Sequence, residues 1–124
     1  MSRWDAFRAD EHYTLQDLGR PAVFLVPKNK LRIPLNGVSL EEHLHRFLTI
    51  NFGAYTASTF TSFGFWQDDE RRIVYDEVCQ YEVSFHGKDR IPILMKELAV
   101  LAKLIGENCI YFKAGQYACL IFPL

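Results

Sequence analysis

Hydrophobic residues recur along this chain at two different spacings, which together predict two helices and five strands. A capping-box sequence at residues 39–42 predicts the start of the first helix, because its Ser and its second Glu can each satisfy an amide of the first turn. Apolar residues then recur every three or four positions until Gly53. They do so again between Asp89, the expected cap of a second helix, and Gly106. Each helix should therefore bury one apolar face.

Five stretches have the composition or the alternation of β-strands. Residues 22–26 form a short, continuous apolar run, which is typical of a central strand covered on both faces. Residues 55–66 are rich in Thr, Ser and aromatic residues, and residues 73–85 alternate, so we expect these two strands to pair as a long antiparallel hairpin. Residues 109–112 and 117–122 predict two final strands.

The order of these elements, β-α-β-β-α-β-β, predicts an α+β protein with the split β-α-β arrangement of a ferredoxin-like sandwich. Right-handed crossovers would place both helices on one face of an antiparallel sheet. We expect residues 22–124 to form this single domain. Residues 1–21 are interpreted as an N-terminal arm or short helix, with disorder as the alternative. The aromatic strands favour a homodimer that covers the other sheet face or packs through the long hairpin.

Composition and charge exclude several classes of function. Of the 124 residues, 49% are hydrophobic and 15% aromatic, as in a packed globular protein. Fourteen Lys and Arg against fifteen Asp and Glu give a net charge of -1, which disfavours a nucleic-acid partner because polyanion binding needs a basic excess. No apolar run is long enough to span a bilayer, and the first residues lack a signal-peptide core, so we predict a cytoplasmic protein without a membrane partner.

The cysteine and histidine patterns predict neither a disulfide framework nor a metal site. The three cysteines, Cys79, Cys109 and Cys119, are an odd number and lie within apolar strings. No Cys or His pair has zinc-finger spacing, and phosphate-binding loops and dinucleotide fingerprints are missing from the sequence. We therefore predict no metal and no cofactor.

Glu77 is the most informative polar position. The alternation of its strand places it on the same face as Tyr75, Cys79 and Tyr81, where burial would raise the pKa of the carboxyl group. A buried acid is a candidate ligand anchor or general acid or base. The alternatives are that a bulge turns Glu77 outward, or that a Tyr hydroxyl or an Arg satisfies it.

Three further positions are candidates for binding or chemistry. Glu107 follows the second helix, where an acid opposes the helix dipole and so needs another reason to be present, although simple exposure is the alternative. His43 borders the apolar face of the first helix and could reach a cleft, or could simply pack there. Tyr111, in the first of the two final strands, could assist Glu77 in an active site.

Four short motifs resemble those of a loose set of small, uncharacterised bacterial and phage proteins. The motifs are Phe52-Gly53-Ala54-Tyr55-Thr56, Gly64-Phe65-Trp66, Glu77 and Gly106-Glu107. This chain departs from the pattern at Ala54, where a second Gly is typical, and at Glu107, where Gln is common. The resemblance covers about residues 23–122 and implies a ferredoxin-like α+β fold, but no activity.

Three functions remain open from the sequence. The first is a non-enzymatic binding protein in which Tyr55, Trp66, Tyr75 and Tyr81 contact a small ligand or protein partner and Glu77 orients it. The second is a small enzyme in which Glu77 acts as acid or base with help from His43 or Tyr111. The third is a phage-related interaction or inhibitor protein that acts through its surface.

Overall fold

An antiparallel sheet with two helices forms the framework of the protein, as seen in a computed structural model that describes residues 3–58 and 62–124. In chain order the elements are β1 (Arg20–Pro27), β2 (Pro34–Leu35), β3 (Val38–Ser39), α1 (Leu40–Phe52), β4 (Thr56–Ala57), β5 (Ser62–Gln67), β6 (Ile73–Phe85), α2 (Arg90–Ile105), β7 (Ile110–Ala114) and β8 (Tyr117–Ile121). The predicted α+β class, with an antiparallel sheet and two helices, is confirmed.

The long strand β6 organises the sheet. On one edge its second half pairs with β1, which in turn pairs with β7, and β7 pairs with β8. On its other edge β6 pairs with both β4 and β5. The single strand predicted at residues 55–66 is therefore two short strands, and residues 59–61 lie outside the part of the chain that the structure describes.

The core lies between the helices and one face of the sheet. Alternate residues of β1, namely Ala22, Phe24 and Val26, are buried against leucines of both helices. Val23 and Leu25, which point to the opposite face, are only partly buried. The prediction that residues 22–26 are covered on both faces is wrong, because both helices pack on the same side of the sheet.

The two helices begin differently. At α1 the Ser39 hydroxyl accepts a hydrogen bond from the Glu42 amide at 3.2 Å, as the capping box predicts. The Glu42 carboxylate, however, accepts from Arg46 rather than bonding back to the Ser39 amide. Asp89 does precede α2, but its side chain makes no capping bond, so that part of the prediction is wrong. Gly53 ends α1 at a φ of 82°, a left-handed conformation that glycine adopts without strain.

One part of the sheet extends beyond the core. The hairpin arm, which we define as residues 62–77, consists of β5 and the first half of β6, joined by a turn with three acidic residues, Asp68-Asp69-Glu70. Within the described chain these β6 residues pair only with β5, since β1 begins its pairing with β6 at Val78. The arm exposes large apolar side chains: Phe63, Phe65, Trp66, Ile73 and Tyr75.

The N-terminal segment is largely exposed. It contains one short 3-10 helix, Asp5–Phe7, and it reaches the domain where the Asp17 carbonyl oxygen accepts a hydrogen bond from His86. Neither helix of the described chain has the length and apolar character needed to traverse a lipid bilayer.

Candidate functional site

A pocket of about 230 Å³ opens between the first turns of α1, strand β4 and the middle of β6. The lining residues are Glu41, Glu42, His45, Tyr55, Ala57 and Tyr81. The left-handed turn at Gly53 lets the chain leave α1 and run back along β6, where Ala57 pairs with Tyr81. Local turn geometry therefore brings residues of the helix start and of two strands into one acidic and aromatic pocket, called here the Tyr55–Tyr81 pocket.

Two stacked tyrosine rings form the floor of the Tyr55–Tyr81 pocket. Their centroids are 5.9 Å apart and their planes differ by 25°, while the other side of the Tyr81 ring stacks on Phe24 at 5.1 Å. Tyr81 is only 3% exposed, so its ring is held rigidly by the core. The Tyr55 hydroxyl lies 2.9 Å from Nδ1 of His45, which fixes the position of that hydroxyl at the rim.

The rim of the pocket is acidic. Burial raises the pKa of Tyr55, and the negative charges of Glu41 and Glu42 raise it further. Burial also raises the pKa of Tyr81, with Glu41 as the next contribution. Both phenols therefore stay neutral at physiological pH, and Tyr55, the more exposed of the two, presents its electron-rich ring beside two carboxylates. Such an arrangement attracts a cation with apolar substituents.

The two carboxylates differ in how far they are already neutralised. Glu42 accepts from Arg46 Nε at 3.2 Å. Glu41 has no basic group within 4.0 Å in residues 3–58 and 62–124, and its backbone is fixed by a bond from its amide to the Leu31 carbonyl. Glu41 is therefore the carboxylate with most capacity to interact with a bound cation.

Of the residues proposed from the sequence, the structure brings only Tyr55 and Tyr81 together in this pocket. Trp66 and Tyr75 lie on the hairpin arm. His43 is on α1, and its Nε2 lies 2.7 Å from the Leu35 carbonyl oxygen. This contact agrees with the alternative that His43 packs locally rather than reaching a cleft.

Tyr111 belongs to β7, where the neighbouring residues Ile110 and Phe112 are buried against the helices. Because side chains alternate along a strand, Tyr111 points to the opposite face of the sheet. It therefore lies on the other side of the sheet from the Tyr55–Tyr81 pocket.

Glu77 is exposed, so the expectation that its carboxylate is buried is wrong. Glu77 is in phase with Tyr75 and Cys79, as predicted, but from Ile73 to Val78 the even positions, Val74, Asp76 and Val78, are the less exposed set. The face that carries Glu77 is covered by helices only from about Cys79 onward, because the first half of the strand belongs to the hairpin arm. An exposed carboxylate lacks the desolvation that the proposed acid or base role required.

Glu107 is half-buried beside Lys30, and this contact explains an acid after the end of α2. Lys30 Nζ lies 3.7 Å from the Glu107 carboxylate and donates to the Ile105 carbonyl at 2.8 Å. Burial raises the pKa of Glu107, Lys30 opposes that shift, and Asp76 adds to it. Lys30 therefore places a positive charge at the C-terminal end of α2. This charge offsets the repulsion between the negative end of the helix dipole and the Glu107 carboxylate.

The sequence reasoning missed Glu41, Glu42 and His45 as members of a site. Glu41 and His45 are four residues apart, which places them on the same helix face and could have linked them. The glutamates were interpreted only through the capping box, and nothing local indicates that Tyr55 folds back over them. Within the described ranges, no group of three or more His, Cys, Asp or Glu residues is close enough together to hold a metal ion.

Comparisons with known proteins give a structural likeness only. No family model matches the chain, and no curated protein matches it. A phage SAM lyase in complex with S-methyl-5'-thioadenosine is similar, with a TM-score of 0.55, 13% identity, and coverage of 91% of this chain and 96% of the lyase. A phage SAM lyase in the apo state gives the same TM-score at 11% identity, covering 89% and 96%. At such identities the likeness establishes a shared fold.

Proposed function

We propose that this chain binds S-adenosylmethionine in the Tyr55–Tyr81 pocket and cleaves it as a lyase. The observation that carries the proposal is the likeness to a SAM lyase holding S-methyl-5'-thioadenosine, which extends over nearly the full length of both chains. The acidic, aromatic character of the pocket supports it independently, because S-adenosylmethionine carries a sulfonium cation with three carbon substituents.

The pocket offers two kinds of interaction with a sulfonium. The partly exposed ring of Tyr55 would attract a cation through its quadrupole, an effect worth about 0.5–2 kcal/mol, while Tyr81 stays buried beneath it and supports it. The Glu41 carboxylate adds charge attraction at the rim. A neutral thioether such as S-methyl-5'-thioadenosine would keep the ring contacts and lose the charge attraction, so the pocket would favour the charged compound over the neutral one.

The bond that breaks follows from the two compounds. S-methyl-5'-thioadenosine retains the sulfur and its methyl group, so forming it from S-adenosylmethionine breaks the bond between sulfur and the methionyl γ-carbon. The electron pair of that bond stays on sulfur, which becomes neutral. In a lyase no water enters, so a nucleophile of the methionyl fragment would replace the sulfur: its carboxylate oxygen would attack the γ-carbon as the carbon–sulfur bond breaks, forming a lactone beside S-methyl-5'-thioadenosine.

The loss of the sulfonium charge during the reaction indicates that Glu41 would contribute to substrate binding rather than to acceleration of the chemical step. Only interactions that strengthen in the transition state raise the rate of that step. The sulfonium charge declines as the bond breaks, so the attraction of Glu41 declines with it. Glu41 would hold the charged substrate and add little to retention of the neutral product, while the stacked tyrosines fix the orientation of the substrate.

Calorimetric titration with S-adenosylmethionine and with S-methyl-5'-thioadenosine, together with chromatography for product, tests the proposal. Glu41→Gln should weaken S-adenosylmethionine binding by about tenfold and change binding of the neutral compound by less than about twofold. Asp69→Asn, which removes one exposed carboxylate from the arm's turn, is the matched control and should change neither affinity. The proposed site would be contradicted if Glu41→Gln weakened binding of both compounds equally, or if the wild-type chain bound neither compound.

Turnover is tested in the same samples. Formation of S-methyl-5'-thioadenosine by the wild-type chain supports the lyase. Saturable binding without product would leave a non-enzymatic binding protein, which is the first of the functions proposed from the sequence.

A second candidate function, self-association or partner binding through the hairpin arm, is favoured by the exposed aromatic side chains of residues 62–77. We propose a homodimer formed through this arm. Native mass spectrometry reports subunit number and any bound nucleoside together. A dimer that dissociates in Phe65→Ser would support the arm as interface, whereas a monomer, or a complex with another protein, would favour the interaction or inhibitor alternative.

The finer description of the fold is also a proposal. The ferredoxin-like split β-α-β arrangement is supported by the order of β6, β1 and β7 in the sheet and by the shared core of the two helices. The resemblance to small bacterial and phage proteins and the cytoplasmic location stay predictions from the sequence.

A further inference from the structure

A larger cavity, of about 370 Å³, lies at the end of α1 opposite the Tyr55–Tyr81 pocket. It is open to solvent and is lined by residues 16–18 of the N-terminal segment, by Asn51 and Phe52, by residues 84–86 at the end of β6, and by Arg90. None of these residues lines the Tyr55–Tyr81 pocket. The cavity is therefore a separate feature, and the function proposed above does not use it.

Arg90 brings a positive charge to this cavity without a carboxylate partner. In residues 3–58 and 62–124 no carboxylate oxygen lies within 4.0 Å of its guanidinium. One of its Nη atoms donates to the Asn51 carbonyl, and Cζ lies 5.0 Å from the centroid of the Phe52 ring. Its Nε is buried and has no acceptor in the same residues. A buried donor without a partner costs about 1–3 kcal/mol, so a missing acceptor is indicated.

The other charged groups around the cavity set limits on the ligand. The Asp17 carboxylate accepts from the Gly19 amide at 2.9 Å and brings one negative charge. His86 donates through Nε2 to the Asp17 carbonyl at 2.8 Å, which leaves Nδ1 as its other polar atom. Asp89 lies next to Arg90 at the N-terminal end of α2. With two acids nearby, a monoanion would meet less repulsion than a phosphate dianion.

We propose that this cavity is a binding site for a small carboxylate, with Arg90 as its principal donor. The planar guanidinium matches the two oxygens of a carboxylate and forms charge-assisted hydrogen bonds with them. A carboxylate bound here would give Nε the acceptor that it lacks, provided that the guanidinium turns its buried Nε toward the cavity. The proposal is independent of the function proposed above, because it involves another cavity and another class of ligand.

NMR of the arginine Nε–Hε groups tests this site with acetate as the probe, at constant ionic strength against chloride and without nucleoside. The Arg90 signal should shift saturably with acetate. Arg90→Lys keeps a charge but removes Nε, and should weaken acetate binding at least about tenfold as followed by backbone amide shifts of residues 84–86. Lys96→Gln, which removes an exposed charge from the same helix, should leave acetate binding unchanged.

Three results would overturn the proposal. They are a non-saturable response of the wild-type Arg90 signal, equal acetate affinity in Arg90→Lys, and tighter binding of inorganic phosphate than of acetate. The wild-type titration decides the matter by itself if Arg90→Lys does not fold. Loss of S-adenosylmethionine binding would test only the other pocket, so failures of the two proposals can be told apart.

Discussion

The two halves of β6 bury opposite sets of alternate residues and have very different surroundings. In the second half Tyr81, Val83 and Phe85 are buried beneath the helices. In the first half the residues in phase with them, Tyr75 and Glu77, are exposed on the hairpin arm. The second half pairs with β1 and carries the floor of the Tyr55–Tyr81 pocket, whereas the first half, in the part of the chain that the structure describes, pairs with β5 alone.

The difference shows that alternation identifies a face but does not show what covers that face. A helix of 13 or 16 residues is about 20 to 24 Å long, and α1 and α2 pack over the part of the sheet that contains β1 and β7. A 13-residue strand extends to more than about 40 Å. The helices cannot cover such a strand along its whole length, so the free end becomes an arm.

Replacing the equivalent tyrosines in the two halves should give the largest contrast. Tyr81→Ala removes a ring that is stacked on both Phe24 and Tyr55, and should lower the free energy of unfolding by about 3–5 kcal/mol. Tyr75→Ala should lower it by less than about 1 kcal/mol, because Tyr75 is 59% exposed. Urea unfolding followed by circular dichroism measures both. Similar losses would mean that the arm is buried in solution, for example by a second copy.

The aromatic contacts within the arm should give a smaller effect. The rings of Phe65 and Tyr75, which are paired across β5 and β6, are 5.7 Å apart. A double-mutant cycle with alanine at both positions should give a coupling of about 0.2–1 kcal/mol, as for other cross-strand pairs. The control pair, Phe65 with Val83, should show no coupling. A coupling above about 2 kcal/mol, or one that grows with protein concentration, would place the arm in an interface.

The smallest expected effect is electrostatic and links the arm to the end of α2. Because burial, with a contribution from Asp76, raises the pKa of Glu107, the folded state binds a proton there more readily than the unfolded state. The contribution of Glu107 to stability therefore declines as the pH rises from its ordinary pKa through its raised pKa.

Carbon-13 NMR of the Glu107 carboxyl group follows this titration. Asp76→Asn should lower the pKa of Glu107, and Lys30→Met should raise it, because the lysine opposes the shift. Asp69→Asn, in the turn at the tip of the arm, is the matched control and should leave this pKa unchanged. A pKa of Glu107 that falls in Lys30→Met would contradict the ion pair.

Local sequence was sufficient to predict the helices and their ends. Ser39 and Gly53 mark the two ends of α1 because their own side-chain chemistry and backbone freedom satisfy the helix termini. Period-two alternation was sufficient to predict β6, and composition predicted that residues 55–66 pair with it, although these residues form two short strands rather than one. For the candidate site, the sequence singled out Tyr55 and Tyr81 but not Glu41 or His45 beside them.

The sequence by itself determined the elements, the α+β class and the side of each strand on which a residue lies, since these follow from propensity, capping and side-chain period. Only the tertiary structure decided that Glu77 is exposed, that Tyr55 folds over the start of α1, and that Arg90 lines a cavity with no carboxylate partner among the described residues. Those outcomes depend on which distant segments cover a surface. Burial and charge are set by such contacts, which no local pattern specifies.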